Sequence, residues 1–190
     1  MGFLYEKIDG KYMLELGLDA DAQDPRSFRN LGTMVCYHKR YKLGDQQAEN
    51  TNLYTSWAEW LNGEVLSKKR NGVVYLPLYL YDHGGLAINT TGYHCRWDSA
   101  QLGWIYVAKS KLKKVGIDEK EAEALFVEEV DCYDHYLQGQ FLYYNLRDVN
   151  KQGLDSLIDA RGGFYGKSAK EKIEKALGKK FRHLVEDFAV

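Results

Sequence analysis

The stretch "VVYLPLYLYDHGGLAINTTG" (residues 73–92) decides the fold, because it combines a strand, a tight turn and a returning strand. One face of the first strand carries four aliphatic residues, namely Val74, Leu76, Leu78 and Leu80. The other face carries tyrosines. This alternation has the two-residue period of a β-strand. Gly84 and Gly85 then predict a tight hairpin turn. Pro77 lacks a backbone donor, so it predicts an edge stretch or a bulge within the strand.

The same period recurs on both sides of the hairpin. Further strands are predicted in "KYMLELGLDAD" (11–21), "GTMVCYHKRY" (32–41), "GWIYVAK" (103–109) and "QFLYYNLRD" (140–148). This pattern favours a sheet in which neighbouring strands are mostly antiparallel.

Helical spacing appears in three other segments. One helix is expected around Leu53, Trp57, Trp60 and Leu61, one from about Asp118 to Leu137, and one in the amphipathic tail over residues 168–190. Asp118 and Ser168 can cap the last two of these helices. The order predicts a single α+β domain over residues 1–190, with helices packed on a mostly antiparallel sheet. The C-terminal helix over residues 168–190 can form an appendage to that domain.

The composition is that of a globular protein and not of a disordered one, with 45% hydrophobic and 28% charged residues. The 26 basic and 27 acidic side chains give a formal net charge of -1, so no global field favours or opposes DNA binding. Three cysteines cannot close a set of disulfides, and neither a signal peptide nor a membrane-spanning apolar run is apparent. We therefore expect a reduced, cytoplasmic protein that needs no membrane and no cofactor.

The polar residues around the hairpin have a structural interpretation. Asp82 can cap the turn, and Asn89, Thr90 and Thr91 can satisfy the next bend through their own backbones. In this interpretation the hairpin is a scaffold that presents side chains and does no chemistry.

Two interpretations in which residues of this region carry chemistry also remain open. His83, Cys95 and Asp98 can form the centre of a hydrolase, since a thiol nucleophile needs a nearby histidine. Cys36, His38, His83 and Cys95 offer four soft ligands to zinc, although their spacing matches no recognised finger. No metal is expected on that ground. The segment "GGFYGKSAKEK" (162–172) lacks the spacing of a phosphate-binding loop, which excludes nucleotide hydrolysis.

Aromatic and basic residues suggest a binding surface. Tyrosines on an exposed sheet face beside basic side chains would form a platform on which unpaired bases or a protein partner could pack. The alternative is a second core layer beneath the helices. The candidate binding residues are Lys39, Arg40, Lys68, Lys69, Arg70, Tyr79, Tyr81 and Trp97.

Four strings together carry a family resemblance: "DPRSFRNLGTMVCYHKRYKLGD", "YLPLYLYDHGG", "CRWDSAQLGWIY" and "EVDCYDHYLQGQFLYY". In this combination the chain resembles a group of uncharacterised proteins encoded by phages, plasmids and integrative elements of Gram-positive bacteria. The match runs in order from about residue 10 to residue 165. The group usually has Ser at the position of Gly84 and Gly at the position of Ala100. The missing hydroxyl beside His83 counts mildly against a hydroxyl nucleophile there.

The resemblance indicates the kind of gene that encodes such a protein, and it assigns no role to any residue. Accessory genes of such elements often act against host defence, and anti-CRISPR and anti-restriction proteins are usually stoichiometric binders. It therefore favours an inhibitor of a host defence nuclease that acts in the bacterial cytoplasm. The expected partner is a host defence protein or ribonucleoprotein, with DNA or RNA as a further candidate.

Overall fold

The computed structural model describes residues 3–47, 72–95 and 97–189. Residue contacts divide the chain into two compact units, Met1–Gln23 with His135–Val190, and Asp24–Asp134. The helix predicted around Leu53 and Leu61 lies outside the described residues.

The elements of the described residues are β-strands, α-helices and short 3-10 turns. The strands are β1 (Tyr5–Asp9), β2 (Tyr12–Leu18), β3 (Thr33–Cys36), β4 (Gln46–Gln47), β5 (Val73–Asp82), β6 (Leu86–Asn89), β7 (Ser99–Ala108), β8 (Leu142–Asp148) and β9 (Leu157–Phe164). The helices are α1 (Lys109–Val115), α2 (Glu119–Leu137) and α3 (Ala169–Phe181). The α+β class is confirmed, and the strands form two sheets in which all pairs except β3 with β4 are antiparallel.

The sheet of the Asp24–Asp134 unit has the order β4-β3-β7-β5-β6. The aliphatic face predicted for β5 is buried at Val74, Leu78 and Leu80, while Leu76 of the same face is half-buried. Ile105 of β7 is buried as well. Among the described residues the edge stretch predicted at Pro77 is found, and a register irregularity follows one residue later. Strand β6 pairs only with the last four residues of β5, and the register between β5 and β7 shifts directly after Leu78.

Helix α2 supplies an apolar face to the same unit. Asp118 caps it, because its carboxylate accepts a hydrogen bond from the backbone N–H of Glu121 at 2.8 Å. The helix buries four residues at helical spacing: Ala122, Phe126, Val130 and Tyr133.

A buried ionic network holds the segment before β3. The side chain of Arg26 is only 4% exposed and pairs with Asp45 at 2.6 Å and Glu129 at 3.0 Å. The same guanidinium donates to the carbonyl of Gly32 at 2.8 Å, and Asp45 accepts from the backbone N–H of Met34 at 2.6 Å. Burial disfavours the charged guanidinium, but the hydrogen bonds to the two carboxylates outweigh it and raise the pKa of Arg26. This network fixes the start of β3, which leads into Tyr37–Arg40.

The other unit contains the sheet β1-β2-β8-β9. Its core combines Leu14, Leu16, Tyr144 and Leu146 from the sheet with Ile173, Leu177, Leu184 and Val185 from the C-terminal segment. The tail helix therefore supplies part of this core. Ser168 occupies its N-cap position, but its side chain makes no capping hydrogen bond. None of the helices in the described ranges has the length and apolarity needed to cross a bilayer.

Candidate functional site

The β5–β6 hairpin and the start of β7 build the candidate site. Strand β5 ends at Asp82 and β6 begins at Leu86, so three residues form the turn. Gly84 has a φ of +72°, which glycine adopts at little cost. The backbone N–H of Asp82 donates to the carbonyl of Asp98 at 2.9 Å. This bond attaches the end of the hairpin to the segment that precedes β7.

The polar turn residues follow the structural interpretation only in part. The side-chain oxygen of Asn89 accepts from the N–H groups of Thr91 at 3.1 Å and Gly92 at 2.7 Å, as expected of a self-satisfied bend. The cap predicted for Asp82 is wrong. Its carboxylate instead forms an ion pair with Arg40, which lies beyond the end of β3.

The three residues of the hydrolase hypothesis come together around one oxygen atom. The Cys95 thiol donates to Oδ2 of Asp98 at 3.4 Å, and Nδ1 of His83 lies 3.4 Å from the same oxygen. A thiol nucleophile needs a base that takes its proton, usually a histidine that is itself oriented by a carboxylate. Here the carboxylate lies between the thiol and the imidazole. The residues therefore converge, but His83 is not placed to activate Cys95 in this conformation.

A depression of about 640 Å³ lies beside this cluster. Three of the predicted binding residues line it, namely Lys39, Arg40 and Trp97. Trp97 is almost fully exposed, at 95%. Asp82 and Asp98 also line the depression, so its wall carries both signs of charge. We call the surface formed by these five residues the Trp97 surface.

The predicted tyrosines occupy a neighbouring position. Tyr79 lines a separate depression of about 560 Å³ together with Tyr93 and His94. The ring of Tyr81 lies 5.5 Å from that of Tyr93 and 6.1 Å from that of His83. Burial, followed by the charge of Asp134, raises the pKa of Tyr93 to about 12. Tyr79 and Tyr81 are half-buried, and neither lines the depression beside Trp97.

The remaining predicted basic residues, Lys68, Lys69 and Arg70, lie outside the described part of the chain.

The four residues of the zinc hypothesis do not form one site. Cys36 is buried, and this burial, together with the nearby Asp45, raises the pKa of its thiol to about 12. Nδ1 of His38 accepts backbone N–H bonds from Arg40 at 3.3 Å and Tyr41 at 3.2 Å. Over the described residues, no group of three or more His, Cys, Asp or Glu side chains is arranged to hold a metal ion.

Sequence reasoning missed two contributors to the site. The ion pair between Arg40 and Asp82 joins residues 42 positions apart, so no local sequence pattern predicts it. Ser99 is the second contributor, because its hydroxyl donates to the carbonyl of Cys95. The ion pair joins the segment after β3 to the end of β5, and the Ser99 hydrogen bond closes the short segment that carries Trp97 and Asp98.

Comparisons of the chain with protein-family models, with curated proteins and with solved structures found no match.

Proposed function

We propose that this chain is an accessory protein of a phage or mobile element that inhibits a host defence nuclease, of CRISPR or restriction type, by stoichiometric binding. The observation that carries the proposal is the exposure of Trp97, at 95%, on the rim of a depression. Tryptophan is among the residues most enriched at binding hot spots. Covering 150–250 Å² of an aromatic side chain contributes about 4 to 6 kcal/mol before the costs of association.

The charges of the Trp97 surface favour the nuclease itself over its nucleic acid. A phosphate-binding track needs positive charges that are free to replace counterions. Arg40 already pairs with Asp82, and Asp98 adds a second carboxylate to the wall. A mixed wall around an exposed aromatic anchor is typical of a protein interface.

The family resemblance supports the same class of function. The strings "CRWDSAQLGWIY" and "YLPLYLYDHGG" that carry it include Trp97, Asp98 and Asp82. The proposed surface therefore falls within the segments on which the resemblance depends. Small proteins of such elements that oppose host defence usually act as binders.

A hydrolase centred on Cys95 is the second candidate, because His83 and Cys95 share the Asp98 oxygen at 3.4 Å each. For that chemistry His83 would have to turn from the carboxylate to the sulfur and accept its proton. His83 is exposed enough to rotate, with 69% of its side chain accessible. A catalyst would act below stoichiometric amounts, whereas a binder would not.

Phage plating on hosts that carry a panel of CRISPR and restriction systems tests the proposal. Expression of the protein should restore plating against one of these systems, and Trp97→Ala should lose the effect. Phe28→Ala is the matched control, since Phe28 is also exposed, at 59%, but does not line the depression. Unchanged plating across a broad panel would overturn the proposed function. Loss of activity in Cys95→Ser and His83→Ala proteins that remain folded would favour the hydrolase.

A further inference from the structure

The unit formed by Met1–Gln23 and His135–Val190 has a pocket of its own, with a volume of about 500 Å³. Its wall contains three aromatic rings, two aliphatic side chains and one carboxylate: Tyr136, Phe141, Tyr143, Leu4, Leu18 and Asp19. The pocket lies where β2 ends and β8 begins, and the backbone N–H of Asp19 donates to the carbonyl of Phe141 at 2.7 Å. Neither Trp97 nor the hairpin contributes to it.

Two glycines determine how this wall is built. A Cβ atom on Gly17 of β2 would lie 2.8 Å from the ring of Tyr143, so the ring rests directly on the backbone of that strand. A Cβ atom on Gly162 of β9 would collide with the carboxylate of Asp19. Because β8 lies between β2 and β9, the ring and the carboxylate occupy adjacent positions over the sheet. Any larger residue at either glycine would displace one of them.

This combination of groups selects a class of ligand. A ring face attracts an organic cation through its quadrupole, and a carboxylate adds a direct charge interaction. Within the described residues Asp19 forms no ion pair, so its charge is available to a ligand. Leu4 and Leu18, exposed by 55% and 49%, would contact the apolar body of such a cation. We infer that the pocket binds an alkylammonium group, either as a small free amine or as a lysine side chain of a polypeptide.

Choline and its neutral isostere 3,3-dimethyl-1-butanol are the probes that test this inference on the full chain. Binding is followed by NMR through the backbone amides of Gly17 and Gly139. Choline should shift these amides and bind about fivefold more tightly than the alcohol, the ratio that about 1 kcal/mol of cation–π and charge attraction gives. Equal binding of the two probes, or no shift at tens of millimolar, would overturn the inference.

Substitutions test whether the preference for choline comes from the groups that line the pocket. Asp19→Asn should remove the preference for choline, while Asp21→Asn should keep it, since Asp21 is exposed and does not line the pocket. Tyr143→Leu should also reduce the preference, which keeps the test valid if Asp19→Asn fails to fold by thermal melting. A preference retained in both pocket variants would contradict the inference.

A lysine probe separates the two sources of the alkylammonium group. Nα-acetyl-lysine N-methylamide carries a primary ammonium on a peptide-like body, and n-butylamine carries the same primary ammonium on an alkyl chain alone. Tighter binding of the lysine compound than of n-butylamine would identify a polypeptide lysine as the ligand, and the reverse order would identify a free amine. Both orders support the pocket. The outcome is independent of the Trp97 surface, so failure here leaves the proposed function standing.

Discussion

Arg26→Ala tests whether the buried ionic network holds the Asp24–Asp134 unit together. The substitution removes a guanidinium that is 4% exposed and leaves the carboxylates of Asp45 and Glu129 without the cation that they share. Removing one partner of a buried ion pair typically costs about 3 to 5 kcal/mol, because the remaining charge is uncompensated. The two carboxylates here are 22% and 15% exposed, so we expect about 3 kcal/mol, at the lower end of that range.

The assay is urea unfolding followed by circular dichroism, with Glu119→Gln as the control. Glu119 forms an exposed ion pair with Lys109 at 2.6 Å, and its loss should cost at most about 1 kcal/mol. A loss below about 1 kcal/mol in Arg26→Ala would refute the reasoning, because an exposed pair would then account equally well for the result. Equal losses in both variants would refute it too. A loss of several kcal/mol confined to Arg26→Ala would support it.

Three further predictions concern single groups. The hydrogen bond from the Tyr144 hydroxyl lowers the pKa of Asp159 below its ordinary value, so the native state gains stability above pH ~4 and loses it as the pH falls. Tyr144→Phe should therefore weaken the pH dependence of the melting temperature in acid, and an unchanged profile would contradict this. Burial raises the pKa of the Cys36 thiol to about 12. Cys36 should therefore react with a thiol reagent much more slowly than Cys95 in the native protein. Equal labelling rates of the two cysteines, measured by mass spectrometry of the labelled peptides, would contradict this. Leu78→Ala should cost about 2 to 5 kcal/mol, because Leu78 is fully buried and truncation leaves a cavity; a cost under 1 kcal/mol in urea unfolding would show that the site collapses.

Elements with a periodic buried face were predictable from the sequence. Strand β5 was predicted with the bounds found, Val73–Asp82, because its aliphatic face alternates without interruption. The start of α2 was predicted to within one residue, because Asp118 caps it and Ala122 begins its buried stripe. At these positions a buried face is visible in the sequence as regularly spaced apolar residues.

The edge strands β1 and β9 were not predicted. Strand β9 (Leu157–Phe164) has its last residue as the only buried one, and β1 (Tyr5–Asp9) has no buried residue. An edge strand pairs on one side and buries few side chains, so it needs no alternating pattern. The division into two sheets was missed as well, since strand partners such as β2 and β8 are far apart in the chain.

The residue types that form the candidate site could be predicted from the sequence, but their arrangement could not. Trp97, Lys39 and Arg40 do share one depression, as a surface of aromatic and basic residues requires. The ion pair of Arg40 with Asp82 and the shared Asp98 oxygen depend on how β3, β5 and β7 lie side by side. Charged residues in loops are usually solvated, so nothing local marks Arg26 as buried.

The measurement that tests the central claim most directly is a titration of the purified protein against the nuclease of the defence system whose effect it suppresses. Cleavage by the nuclease should cease near an equimolar ratio for the native protein. Trp97→Ala should need about thirtyfold more protein for the same inhibition, the ratio that a hot-spot loss of about 2 kcal/mol gives. Inhibition by Trp97→Ala at the native ratio would contradict the claim that the Trp97 surface binds the nuclease. Complete inhibition at far below equimolar amounts, abolished by Cys95→Ser, would contradict stoichiometric binding itself.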